Sequence, residues 1–179
     1  MAFTKTTKTA NRYGLDIKIY EPLDAAPTSE NTPILTIDYA NVSNIDISSD
    51  VVWATGGQAH ANKVKIDNPL SGTFSLETQL QTMELLGLIV GDDISASSFT
   101  GSSVEFDNSK DSQTYTIVAT TVWKAADGTT ATETLTFWRA SPSRALNIAY
   151  DGSGDPVSMT VNFELAENDS HKVLTVGRA

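Results

Sequence analysis

The sequence predicts a mainly β protein: an antiparallel β-sandwich or barrel of two packed sheets with one flanking α-helix over residues 79–90. Three observations carry this. Apolar and polar residues alternate along most of the chain, with many Thr and β-branched side chains. Asp127-Gly128 separates two long alternating runs, which marks a hairpin turn. Only one stretch changes from a period of 2 to one of 3.6. The 179 residues hold neither an internal repeat nor a second set of elements. Residues 1–179 therefore read as a single domain with short basic terminal tails.

The elements follow in chain order. Residues 13–20 alternate and then meet Pro22; residues 24–33 form a Pro/Ser/Asn loop. Residues 34–47 alternate in two pieces, with a break expected at Ala40-Asn41. Residues 51–55 make a short strand, 56–62 a Gly-containing connection, and 63–67 a strand that ends at Asn68-Pro69. Residues 72–77 put Phe74 and Leu76 on one face. Residues 92–112 are Ser/Asp/Gly-rich loop, with a short strand expected at 104–106. Residues 114–124 and 131–139 are the two arms of the long hairpin, which Ser141-Pro142 should stop. Residues 145–150 and 157–165 form a second hairpin, and a polar tail follows Ala166.

The expected helix starts where Thr78 and Gln81 fit a capping box and ends at Gly91, placed for a left-handed C-cap. Its second half, Leu85 to Val90, has no polar side chain on any face. Such a helix must be covered all round. One sheet covers one face, and the other needs a second layer, from the same core or from another subunit. Gly87, which costs about 1 kcal/mol of helix stability relative to Ala, suggests close approach of another backbone.

Composition narrows the function. Without cysteine there is no disulfide, thiolate nucleophile or cysteine-ligated zinc, and folding in a reducing cytoplasm is expected. The first ten residues lack the apolar run of a signal peptide, and the run 85–90 is too short to span a membrane. The net charge is −10. Between Tyr13 and Ser170, seven basic residues face all 22 acidic ones, which leaves that body at −15. Taken alone this is ordinary solubility charge, but it argues against tight binding of nucleic-acid phosphates.

No catalytic, metal or cofactor site is expected. His60 and His171 each stand in polar loop or tail without a companion ligand. No Gly-x-Ser-x-Gly elbow occurs. Residues 151–155 begin like a calcium loop, but Pro156 stands where Gly is needed and Asn162 where Glu is needed. Trp123 and Trp138 flank the Asp-Gly turn and are expected as cross-strand neighbours, packing in the core or at an interface rather than forming a sugar platform.

Two stretches carry a family resemblance. One is Tyr39-Ala-Asn-Val-Ser-Asn-Ile-Asp-Ile-Ser48 followed by Val51-Val-Trp-Ala-Thr-Gly-Gly57. The other is the strand-into-helix unit over residues 67–91, containing Pro69-Leu-Ser-Gly-Thr-Phe74 and Leu85-Leu-Gly-Leu-Ile-Val90. Together they resemble the major tail (tail tube) proteins of long-tailed bacteriophages with Gram-positive hosts. The resemblance covers residues 36–91. It implies a structural virion protein of the tail, made in the bacterial host cytoplasm, whose copies form hexameric rings with joined sheets that stack into a tube. The implied partners are copies of itself and tail proteins such as the tape measure and terminator, with no membrane. DNA is then a passenger of an acidic lumen and not a ligand. The resemblance also implies an arm that reaches the next ring. Residues 48–62 fit it best, through Val51, Val52, Trp53, Gly56 and Gly57, with the 24–33 loop as runner-up. Leu85, Leu86, Gly87, Ile89 and Val90 are the expected subunit-interface residues of the helix. Rival readings are a carbohydrate-binding or adhesin module, a homologous secretion-system tube, and a baseplate component.

Overall fold

Alternation along the chain becomes eleven strands and one helix in a computed structural model, which describes residues 9–11, 15–56, 61–79, 82–96, 99–125, 128–149 and 158–179. The strands are β1 (Thr9–Asn11), β2 (Leu15–Tyr20), β3 (Leu35–Ser48), β4 (Val51–Gly56), β5 (Ala61–Asp67) and β6 (Ser71–Thr78). After the helix α1 (Met83–Val90) come β7 (Tyr115–Ala125), β8 (Thr130–Pro142), β9 (Asn147–Ala149), β10 (Ser158–Ala166) and β11 (Leu174–Arg178). Nine strands form one antiparallel sheet, and β4 with β5 forms a second, two-stranded one. The large sheet closes. From β7 it runs through β2, β3, β6, β10 and β8, and β8 pairs back onto β7. The packed layers expected from the sequence are thus opposite walls of one barrel.

Alternation aims one face of each wall strand inward. Ile17, Ile19, Phe74, Leu76, Ile117, Ala119, Phe137, Val161 and Phe163 are all buried. Phe74 and Phe163 are cross-strand partners whose rings stack at 4.8 Å, and Phe137 stacks on Phe74 at 4.3 Å. Such pairs add about 0.5–1.5 kcal/mol beyond their buried area. Gly72 is required by close packing of another kind: a side chain there would run into the backbone of β3 at Asp46.

The long hairpin forms, with Gly128 at φ 88° in its turn. Its register corrects one expectation. Trp123 faces Ala131 and Ile117 faces Phe137, so Trp123 and Trp138 are not cross-strand neighbours. Trp138 is buried and donates through Nε1 to Thr175 Oγ1 at 2.8 Å. Pro142 does not stop β8 but is its last residue, opposite Phe163 of β10. Residues 104–106 are loop rather than strand. The break expected in β3 appears as irregular register against both neighbours, within one continuous strand.

The helix begins at Met83, four residues later than expected. Thr78 stays in β6, where it pairs with Ala40 on one side and Met159 on the other. With its backbone committed to the sheet, the cap passes to Thr82, whose side chain accepts from Leu85 N–H at 3.2 Å. Gln81 lies outside the described residues. The C-terminus ends as expected, with Gly91 at φ 90° and Asp92 N–H bonded to Gly87 C=O at 2.9 Å.

The stretch read as a polar tail is ordered. Asn168 Oδ1 accepts from Ser170 N–H at 3.0 Å and Lys172 N–H at 2.9 Å. That turn, with His171 at φ 58°, returns the chain along β8 as β11.

Candidate functional site

The β3 and β6 strands do not end together at the barrel rim. Their ladder runs to Ser48 opposite Ser71. Asn68 N–H then bonds Asp50 C=O at 2.9 Å, and the chain continues as the β4–β5 hairpin, whose strands pair only with each other. The result is a two-stranded ribbon extending the barrel wall. Val52 sits opposite Ile66 and is 51% exposed; Ile66 is 49% exposed. Val51 and Leu70 are exposed as well. Lys65, opposite Trp53, pairs with Asp67 at 2.7 Å along the same strand. A bare two-stranded hairpin is at best marginally stable in water, and exposed apolar residues grouped this way make the ribbon the candidate contact surface.

Of the expected arm residues, the structure places Val51, Val52, Trp53 and Gly56 on β4, with Gly56 opposite Ala61. Gly57 and His60 lie outside the described residues. The alternative arm, residues 24–33, is tied to the barrel instead. Leu23 N–H bonds Thr116 Oγ1 at 2.8 Å, and Asp24 pairs with Arg139 at 2.8 Å.

The helix residues find their cover within the chain. Leu85, Leu88 and Ile89 join the barrel core, and Val90 is fully buried. The space left by Gly87 is filled by the side chains of Phe99 and Ile94 from the following loop. The close neighbours of Gly87 are thus side chains, where the sequence suggested a backbone. Leu86, half-buried, retains some surface.

Two basic residues assigned to the C-terminal tail are engaged intramolecularly. Arg178 donates to the buried carboxylate of Glu133 at 2.6 Å and lies 4.7 Å over the Trp123 ring. Lys172 lies 5.6 Å over Trp138. His171 stands on the exposed turn beside Glu167 at 3.2 Å. Among the described residues no group of three or more His, Asp or Glu is placed to hold a metal ion. The loop at 151–155 lies outside the described residues. Nothing in the sequence pointed to β11 as an anchor, although Leu174, Val176 and Arg178 fall on alternate positions.

No protein-family model and no curated protein matches the chain. Among solved structures, a chain of the six-fold symmetrised cryo-EM baseplate of the anti-feeding prophage aligns at a TM-score of 0.53 and 10% identity, over 97% of this chain and 97% of that one. A crystal structure of an Hcp protein aligns at a TM-score of 0.35 and 13% identity, over 92% of this chain and 97% of that one. At such identities the baseplate likeness is one of fold.

Proposed function

We propose that the protein is a structural, self-assembling component of a phage tail or of a phage-derived tail-like particle. Its copies form rings, six to a ring by the family resemblance, that stack into a tube. The observation that carries this is the β4–β5 ribbon. It projects from the barrel with Val51, Val52 and Ile66 open to water, a cost that contact with another subunit removes. The likeness in fold to a chain of a tail-like baseplate supports the reading, and favours a baseplate component as its nearest rival. The body charge of −15 between Tyr13 and Ser170 suits a lumen through which DNA slides without being held. Tape-measure and terminator proteins are the further partners that this reading implies.

Negative-stain microscopy of the purified full chain is the test. Rings or tubes are expected. Their yield should rise with added salt, because repeated acidic bodies repel and charges beyond a Debye length of ~8 Å are screened at physiological ionic strength. A chain that stays monomeric at every salt concentration and retains glycan would overturn the reading in favour of a binding module. One capped ring without tubes would favour the baseplate.

A further inference from the structure

Strand directions give the barrel two unlike ends. β6 starts at the ribbon and runs to Thr78 at the far end, where α1 follows and adds Leu85, Leu88 and Ile89 to the core. β10 runs back toward the ribbon, with Leu165 opposite Gly72. β11 continues past it along β8: Ala166 faces Arg139, and Leu174 then faces Phe137. Val176 therefore lies at the ribbon end, on the inward side with its partner Leu135. Along these inward positions the cover runs out. Phe137 is fully buried, Leu135 and Leu174 are half-buried, and Val176 is 56% exposed. On β3, Ile45 is the partner of the buried Phe74 and yet is exposed; Leu70, just before β6, is exposed too. This open apolar rim is continuous with the exposed Val51, Val52 and Ile66 of the ribbon.

The far end presents an aromatic instead. Phe106, in the segment between α1 and β7, is 49% exposed and is the one exposed aromatic among the described residues. Its neighbours on both sides are fixed. Glu105 C=O accepts from Lys110 Nζ at 3.4 Å, and the Asp107 carboxylate accepts from Ser109 N–H at 2.6 Å. Asp107 C=O accepts from Arg144, two residues beyond the end of β8. β8 is antiparallel to β10 and so ends away from the ribbon, which places Phe106 at the far end. An aromatic held out by a pinned loop gives up little freedom on binding, and buried aromatics are the common anchors of protein interfaces.

We propose that Phe106 of one copy seats on the apolar rim of a second copy, against Ile45, Leu70 and Val176; the inference rests on the self-assembly reading and names one of its contacts. The two surfaces stand at opposite ends of the barrel, so a chain does not bring its own together. Ribbon against ribbon would also cover the rim, but that contact is isologous and closes at two copies. An end-to-end contact between unlike surfaces repeats, as stacking requires.

The absence of cysteine makes a clean experiment available. Ser49, exposed at the rim, and Asn108, exposed two residues after Phe106, are changed to cysteine in the full chain, singly and together. A short bis-maleimide is added under assembly conditions. The double variant Ser49→Cys/Asn108→Cys is expected to give a ladder of covalent multimers, and each single variant to stay monomeric on a denaturing gel. Adding Phe106→Ser should cut the ladder roughly tenfold, as loss of an anchor does, while the urea midpoint stays unchanged because the ring is exposed. Dimers from Ser49→Cys alone at the yield of the double variant would overturn the proposal in favour of ribbon against ribbon. Rings or tubes by microscopy without a ladder, or a ladder that survives Phe106→Ser, would overturn this contact and leave the self-assembly reading standing. A chain that neither assembles nor cross-links would overturn both.

Discussion

The β3–β6 pair and the β4–β5 hairpin that follows it are two antiparallel pairs, in separate sheets and in different environments. Inside the barrel, Phe74 and Leu76 are buried against Phe137 and Phe163. Beyond the rim, Val52 and Ile66 pair across the hairpin and remain about half exposed. Both halves alternate, and both carry residues that favour strands. The difference teaches that alternation chooses a face but does not supply what covers it. In the barrel the cover is the chain itself; on the hairpin Val52 and Ile66 stay open to water.

The comparison breaks most visibly at its buried end. Phe74→Ala should destabilise the fold by about 3–5 kcal/mol, since it removes two ring contacts and leaves a cavity, as read by urea denaturation. Val52→Ser and Ile66→Ser should change the same midpoint by less than ~0.5 kcal/mol while suppressing assembly in light scattering. If the hairpin substitutions unfold the barrel, the two regions are one cooperative unit and the distinction fails.

A second, smaller effect sharpens the account of the buried side, where Tyr115 is 4% exposed. Tyr115 ionises at about 12 in the fold, against ~10 for a free phenol. Between these values the unfolded chain has lost the proton and the folded chain keeps it, so stability falls as pH rises. The full difference is at most roughly 3 kcal/mol. Tyr115→Phe should abolish this part of the alkaline loss, measured by denaturation at pH 9 to 12. An unchanged slope in the variant would mean that another group carries it.

The smallest effect tests whether β11 belongs with the barrel or with the hairpin. Arg178→Ala should cost roughly 1 kcal/mol, because it leaves the buried Glu133 carboxylate without its cation while the arginine itself is half exposed. Hydrogen exchange should speed up along 174–178 and not in β10. No change in exchange would class β11, like β4–β5, as an element not anchored by its side chains.

Much of the local structure was legible from short-range chemistry. The Asp-Gly turn, the Gly91 cap and the shared face of Phe74 and Leu76 each follow from a residue and its immediate neighbours. The exposure of Val51 and Val52 was legible in the sequence, but the pairing of β4 with β5 was not. Arg178 and Lys172 fell in the basic C-terminal tail, and their contacts with Glu133, Trp123 and Trp138 were not legible because those residues lie far away in sequence.

By itself the sequence determined the β class, the strand faces, the single helix with its C-terminal end, and the absence of thiol chemistry. These depend on backbone preferences and side-chain periodicity, which act over a few residues. Only the tertiary structure decided the closure of the sheet through β7 and β8, the register that separates Trp123 from Trp138, and the helix start at Met83 behind the Thr82 cap. It also decided the cover over Gly87. Each of these results from competition among distant strands for the same hydrogen bonds or the same buried space. Thr78 is the plainest case: its sequence context suits a helix cap, but pairing with Ala40 and Met159 keeps it in the sheet.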